Sequence, residues 1–160
     1  MTPAKLESAL TTLAEAAERA EAAIRRVPAD RWQEVIHTGD GAWSRHQLLC
    51  HLAANDIRQL VRVRIGVGIP NPGDFEEHEV ELGDNWNGLR VKERAGHDVE
   101  TLIAEMRANR GALIDLLRSL TPEQRERPIP YRGVPTPIHD AVPTLVGHFD
   151  MHLGELFAGL

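Results

Sequence analysis

Four segments of this chain repeat apolar residues at alternating steps of three and four, and this periodicity constrains the fold more than any other feature. They begin at Thr2-Pro3, at Ser44, at Asp98 and between Pro137 and Pro143. The first seam comprises Leu6, Leu10, Leu13, Ala17, Ala20, Ile24 and Val27. Only 4% of the residues are aromatic, so aliphatic side chains must build the core, which suits packed helices better than a β-sandwich. The pattern predicts an all-α four-helix bundle.

The stretch AWSRHQLL carries the strongest helix-start signal in the chain. Ser44 and Gln47 have the spacing of a capping box, and Trp43 and Leu48 that of a hydrophobic staple. The helix should run to about Ile65. This start sets the register of every residue that follows in the helix.

The remaining segments are read as connections. Residues 66–97 are rich in Gly, Pro, Asn and acidic residues and predict a long crossover between the second and third helices, with a short helix around NWNGLRVKER. TPEQRERP predicts one capped helical turn and IPYRGVPTP an extended loop; no segment predicts a convincing strand. Residues 1–160 are expected to form a single domain.

Charge and hydropathy exclude several functional classes. The net charge is −6 without any basic run, which argues against a nucleic-acid partner. No apolar stretch approaches the roughly 20 residues that cross a bilayer, and the N-terminus lacks the regions of a signal peptide. A lone Cys50 excludes an intramolecular disulfide. We therefore expect a cytoplasmic protein that acts on a small molecule and contacts no membrane.

The last helix contains LVGHFDMHLGEL, in which His148 and His152 lie one helical turn apart. At about 100° per residue, both fall on the edge of the apolar arc. On the second helix, His51 and Asn55 take the same angular offsets from its apolar arc. If these edges meet, His51, His148 and His152 converge. Taken alone, His148 and His152 would also fit an ordinary polar flank of a helix.

Three imidazoles and one remaining position form an open, catalytic type of metal site. Imidazole suits zinc, nickel, copper and iron. A bound ion would lower the pKa of water or of a thiol, and would polarise a carbonyl. HFDMH lacks the Glu that follows the first His in HExxH zinc proteases, so that class is excluded.

Two further polar residues are weaker catalytic candidates. Glu155 shares the flank of the two histidines and could act as a general base or accept a hydrogen bond from a ligand imidazole; a solvated helix glutamate is the alternative. Asn55 could bond bound water or substrate, with interhelical packing as the alternative. Cys50 is directed about 100° away from His51 and is interpreted as a packing residue.

GAWSRHQLLCHLAAND resembles the second-helix signature of the DinB/YfiT-like superfamily, and LVGHFDMHLGEL resembles its C-terminal HxxxH. The likeness extends to NWNGLRVKER and the third helix. Phe149 stands where many members have Asp. The resemblance implies an up-down-down-up four-helix bundle, often dimeric, with a divalent metal on His51, His148 and His152. The superfamily includes a domain of mycothiol-dependent maleylpyruvate isomerase.

The resemblance also implies an activity. Its characterised members use low-molecular-weight thiols, which makes mycothiol or bacillithiol a candidate cosubstrate. Zinc or nickel is the candidate ion, ahead of iron. The leading hypothesis is an enzyme, of S-transferase or hydrolase type, that activates a thiol or water for attack on a small electrophile. The alternative is a non-catalytic dimeric bundle, a stress-response or ligand-binding protein with a structural or adventitious metal.

Overall fold

A computed structural model describes residues 3–37, 42–70, 84–131 and 134–160 of the 160-residue chain. The helices in these ranges are α1 (Pro3–Ile24), α2 (Arg45–Val67), α3 (Asp84–Glu93), α4 (Val99–Ser119), α5 (Pro122–Arg125) and α6 (Ile138–Phe157). A single 3-10 turn, Ala29–Arg31, follows α1. The predicted four long helices are α1, α2, α4 and α6, which confirms the all-α four-helix bundle.

The predicted cap of α2 is confirmed in atomic detail. Ser44 Oγ accepts from the Gln47 backbone N–H at 3.2 Å, and Gln47 Oε1 accepts from the Ser44 N–H at 2.9 Å. The helix runs to Val67, two residues beyond the predicted end, and Gly68 terminates it with a positive φ of 72°. Asp98 likewise caps α4 by accepting from the Thr101 N–H at 2.7 Å.

Cross-helix contacts define an up-down-down-up bundle. Asn109 of α4 donates to the Ala53 carbonyl of α2, and Arg110 of α4 donates to Asp56 of α2. Residue numbers therefore rise together along the two helices, so α2 and α4 are parallel. α1 runs antiparallel to α4, because Arg25 binds Glu100 at one end and Glu7 binds Arg118 at the other. α6 runs antiparallel to α2. The order around the bundle is therefore α1, α4, α2, α6, with the long crossover joining the two parallel neighbours.

Two apolar clusters form the core, one towards each end of the bundle. The first includes Leu48, Leu52, Ile103, Met106 and Phe149, and the second includes Leu6, Leu10, Val63, Leu113 and Leu145. At the level between them lies a fully buried ion pair, in which Arg110 Nε donates to Asp56 Oδ2 at 2.5 Å. Arg110 also donates to the Leu13 carbonyl at 3.0 Å and lies 4.5 Å from the Phe149 ring centroid. The pair thus connects all four long helices.

Two short antiparallel ribbons correct the expectation that the chain has no convincing strand. β1 (Val35–His37) pairs with β2 (Trp43–Ser44), and β3 (Pro128–Tyr131) pairs with β4 (Val134–Pro137). The second ribbon lies in the predicted extended loop. Its prolines occupy alternate, mutually facing positions, Pro128 opposite Pro137 and Pro130 opposite Pro135, so the intervening N–H groups stay available for the ladder.

Tertiary packing supports the β3–β4 ribbon, which is why local sequence patterns did not reveal it. β3 lies directly on α2 at Gly66, where an added β-carbon would come within 2.5 Å of Ile129 Cγ2. The short helix predicted in the crossover is α3, while residues 71–83 of the crossover lie outside the described ranges. Within the described residues, no helix combines the length and apolar character that a bilayer crossing requires.

Candidate metal centre

His51, in the second turn of α2, meets His148 and His152 of α6, as the register of the two helices predicts. The ring centroids of His148 and His152 are 4.5 Å apart, and the His51 centroid lies 4.9 Å from that of His152 and 5.6 Å from that of His148. One nitrogen from each ring falls within 4.8 Å of the other two. His51 and His152 are buried and His148 is half-buried, so the cluster opens to solvent on the His148 side.

Glu155 sets the tautomer of His152. Its Oε2 lies 2.8 Å from His152 Nδ1, and a carboxylate only accepts, so the imidazole holds its proton on Nδ1. In the neutral ring, Nε2 then carries a lone pair, and it lies 3.2 Å from His148 Nε2. An imidazole oriented by a carboxylate in this way is the usual arrangement around metal-ligating histidines.

The spacing of the ring nitrogens supports a shared divalent ion. Nitrogens at about 2.0–2.1 Å from zinc in a tetrahedral site are roughly 3.3 Å apart, close to the 3.2 Å between the two Nε2 atoms. Three imidazoles leave one tetrahedral position for water or substrate, as in open catalytic sites. Metal ligation by His51, His148 and His152 stays a prediction, and the geometry supports it.

Arg45, a residue that sequence reasoning missed, joins the two helices that carry the cluster. It is 1% exposed, donates through Nε to the Leu156 carbonyl at 2.9 Å and through Nη2 to the Ala158 carbonyl at 2.5 Å, and pairs with Glu34. The last carbonyls of a helix lack intrahelical donors, and this guanidinium supplies them. Arg45 thereby fixes the C-terminal end of α6 against the N-terminal end of α2, one to two turns from the histidines.

Trp43 forms one wall of the centre. Its ring centroid is 5.2 Å from that of His51, with the planes inclined by 41°. The residue was predicted only as part of a hydrophobic staple, but β2 places the indole against the imidazole as well as against the core. Its position directly before the cap, with His51 two turns on, is the sequence signal that could have revealed this contact.

Glu155, Asn55 and Cys50 differ in how they relate to the histidine cluster. Glu155 contacts the cluster directly, as described. Asn55 is 6% exposed and lies one turn beyond His51, and its role in bonding water or substrate stays a prediction. Cys50 is completely buried, with Sγ 3.6 Å from the Arg94 carbonyl, and burial raises the pKa of its thiol to about 11. It is a packing residue, as predicted.

The sequence pattern predicts surface positions for His37, His46, His78, His97 and His139, but His139 is buried. His139, 8% exposed, lies in the first turn of α6 with Nδ1 at 3.1 Å from the Arg125 carbonyl and near the carboxylates of Glu126 and Asp140. The β3–β4 ribbon and α5 cover this turn, which the helical pattern alone could not show. His97 is exposed, and His78 lies outside the described residues.

Comparison with known proteins identifies the family. The family model of the DinB superfamily matches residues 12–156. The chain belongs to the DinB superfamily. No curated protein matches it significantly.

A solved structure shares the DinB fold of this chain. YfiT from Bacillus subtilis, described as a probable metal-dependent hydrolase with an unusual four-helix bundle topology, is similar with a TM-score of 0.70. The likeness covers 98% of this chain and 86% of YfiT at 20% sequence identity, so it establishes the shared fold. The up-down-down-up order of the DinB bundle is what brings α2 and α6 side by side and unites histidines 97 or more positions apart in sequence.

Proposed function

We propose that this protein is a divalent-metal-dependent enzyme that activates water or a low-molecular-weight thiol for attack on a small electrophilic substrate. The convergence of His51, His148 and His152, with Glu155 fixing the His152 tautomer, carries the proposal. The description of YfiT as a probable metal-dependent hydrolase supports the same general chemistry. Zinc or nickel is the expected ion, ahead of iron.

A divalent ion bound at this site would lower the pKa of a coordinated water or thiol and could polarise a substrate carbonyl. The chain's own residues supply the rest. The three residues that converge as possible ligands are all histidines. Trp43 covers one side of His51, and the half-buried His148 leaves the entry side open. Glu155 accepts a hydrogen bond from the proton on His152 Nδ1, which favours its role as the hydrogen-bond acceptor of a ligand imidazole over that of a general base.

A thiol used by this enzyme would come from solution. Cys50 adjoins His51 in sequence, but its sulfur is buried between His46 Nδ1 at 3.7 Å and the Arg94 carbonyl at 3.6 Å, away from the cluster. Mycothiol or bacillithiol is the candidate cosubstrate that the family resemblance implies. Water is the candidate that the YfiT description favours.

Metal content of the purified protein tests the proposal first. We expect close to one divalent ion per chain in the wild type and in His97→Ala, and little in His51→Ala or His148→Ala, because only the latter two lose a ring of the cluster. Substoichiometric metal in the wild type, with no uptake on addition of zinc, nickel or iron, would contradict the proposal and favour a non-catalytic bundle.

Activity assays on the metal-loaded protein distinguish water from a thiol as the nucleophile. The loaded protein is supplied with a generic aryl ester or an alkylating electrophile, with and without mycothiol, bacillithiol or glutathione. Thiol consumption that depends on the histidines would establish transfer, whereas thiol-independent ester cleavage would establish hydrolysis. Loss of both activities in His148→Ala but not in His97→Ala is the expected control.

A further inference from the structure

The segment between α1 and β1 is hydrogen-bonded to the beginning of α2. The Glu34 carbonyl accepts from the Arg45 N–H at 3.0 Å, and the Trp32 carbonyl accepts from the His46 N–H at 3.0 Å. The first N–H groups of a helix have no acceptor within their own helix, and this segment supplies one to each of these two. It therefore fixes where α2 begins, and with it the position of His51.

The same segment also holds the end of α6. Arg31 Nη2 donates to the Gly159 carbonyl at 3.1 Å. Arg45 Nε donates to the Leu156 carbonyl at 2.9 Å, and its Nη2 donates to the Ala158 carbonyl at 2.5 Å. Two guanidinium groups thus supply donors to three carbonyls at a helix end, where intrahelical donors are lacking.

Glu34 connects the two arginines. Its carboxylate forms one ion pair with Arg31 and another with Arg45. A hydrogen bond from Arg31, with a further one from Arg45, holds the pKa of Glu34 below its ordinary value, so the carboxylate is charged at neutral pH. Arg45 is 1% exposed, and a buried guanidinium needs such a counter-charge. The three side chains form one unit between α2 and α6, the Arg31–Glu34–Arg45 clamp.

The clamp lies close to the histidines on both helices. At 1.5 Å per residue, His51 lies about 9 Å along α2 from Arg45, and His152 lies about 6 Å along α6 from Leu156. Over one or two turns a helix transmits a displacement with little loss, so a shift at the clamp also moves the imidazoles. Binding sites need their groups held to within about 0.5 Å, which makes even a small shift consequential.

We infer that Glu34 and Arg31 are positioning residues for the histidine cluster, which act through Arg45. The clamp sets the distance between His51 and His152, and therefore how tightly and in what geometry the cluster binds an ion. The inference rests on the proposed function, because it concerns the metal that the cluster is proposed to hold.

Cobalt(II) titration measures this effect without turnover. The visible absorption of bound cobalt is intense in tetrahedral coordination and weak in octahedral coordination, so it reports the geometry of the ligands as well as the affinity. Glu34→Gln and Arg31→Met should each weaken cobalt binding by about tenfold, the lower end of the loss expected for groups that orient metal ligands. Both variants should also change the intensity of the absorption.

Arg127→Met is the matched control. Arg127 Nη1 donates to the Val67 carbonyl at 3.0 Å, so this variant also removes an arginine from a helix end. The contact lies about 24 Å along α2 from His51, too far to move the imidazole. Arg127→Met should therefore keep the cobalt affinity and absorption of the wild type, even where urea unfolding shows that it has lost as much stability as Glu34→Gln.

A double variant tests whether Glu34 acts through Arg45. In an Arg45→Met background, Glu34→Gln should weaken cobalt binding far less than it does in the wild type, because the residue through which it acts is already gone. An equal loss in both backgrounds would overturn the inference. The single variants and Arg127→Met test it even if Arg45→Met does not fold.

Unchanged cobalt affinity and absorption in Glu34→Gln and Arg31→Met would overturn the inference while leaving the metal-dependent function intact. An equal loss of affinity in Arg127→Met would overturn it as well, because general weakening of helix ends would then be the cause. A wild type that takes up no cobalt would overturn both the inference and the proposed function.

Discussion

Two groups of buried polar side chains share helix α2, and they differ in how their hydrogen-bonding and charge requirements are met. Asp56 and Arg110 pair opposite charges, and the guanidinium also reaches the Leu13 carbonyl and the Phe149 ring. One turn and a half away on α2, His51 meets two further imidazoles, groups of the same chemical type. The first constellation satisfies itself within the protein, whereas the second gains most from a ligand that all three rings share.

This difference predicts different consequences of mutation. The ion pair lies between the two apolar clusters and connects all four long helices, so its loss should affect folding. The histidine cluster lies at the edge of the core and opens on one side to solvent, so its loss should affect ligand binding. A buried ion pair is also costly to form, because both charges lose their hydration, so removing only one partner is especially unfavourable.

The largest expected effect is on the ion pair. Asp56→Ala leaves the Arg110 guanidinium buried without its carboxylate and should lower the free energy of unfolding by about 3–5 kcal/mol. Urea unfolding followed by circular dichroism measures it. The double variant Asp56→Leu/Arg110→Met should recover much of the loss, because two apolar side chains need no partner. A single variant as stable as the wild type would show that the pair does not connect the helices as described.

The second effect is stabilisation by metal. Zinc or nickel at a free concentration of a thousand times its Kd should raise the free energy of unfolding by about 4 kcal/mol in the wild type. The same addition should leave the stability of His148→Ala unchanged, while His97→Ala should respond like the wild type. Thermal melts with and without metal measure the difference. Equal stabilisation of all three proteins would place the metal elsewhere.

A smaller effect is expected when Glu155, the hydrogen-bond acceptor of His152 Nδ1, is removed. Glu155→Ala removes the carboxylate that holds the proton on Nδ1, and metal affinity should fall by roughly 10- to 100-fold. Competition with a chromophoric chelator measures this affinity. Asp150→Ala is the matched control, because it removes an exposed carboxylate from the same helix. An equal loss in both variants would indicate a general charge effect instead of a specific contact.

The smallest effect concerns the start of α2. Ser44→Ala removes half of the capping box and should lower the free energy of unfolding by about 1 kcal/mol. Because this cap lies two turns before His51, metal affinity should also fall by a few-fold. Thr121→Ala disrupts the equivalent capping box of α5, away from the centre, and should leave metal affinity unchanged. Unchanged affinity in Ser44→Ala would show that Arg45 alone positions the helix.

Local patterns were sufficient for the helices and for the membership of the cluster. Apolar repeats and caps predicted α1, α2, α4 and α6, and the cap at Ser44 fixed the angular position of His51 relative to the apolar arc of α2. These features depend on interactions between residues a few positions apart, so they are written in short stretches of sequence. Dimerisation stays a prediction of the family resemblance.

Long-range packing decided what those patterns could not. The β3–β4 ribbon forms because Gly66 lets it lie on α2, and His139 is buried because that ribbon and α5 cover it. Arg45 and Trp43 belong to the candidate metal centre through contacts with residues in other elements.

The sequence by itself determined four amphipathic helices, their starts and three histidines on matching flanks. Only the tertiary structure decided that α2 and α6 are neighbours, and that one nitrogen of each of the three imidazoles lies within 4.8 Å of the other two. It also decided that Glu155 selects the tautomer which leaves Nε2 of His152 available. The physical reason is the sequence distance over which each kind of interaction acts. Helical periodicity arises from bonds within one turn, whereas the meeting of His51 with His148 depends on how all the helices pack together.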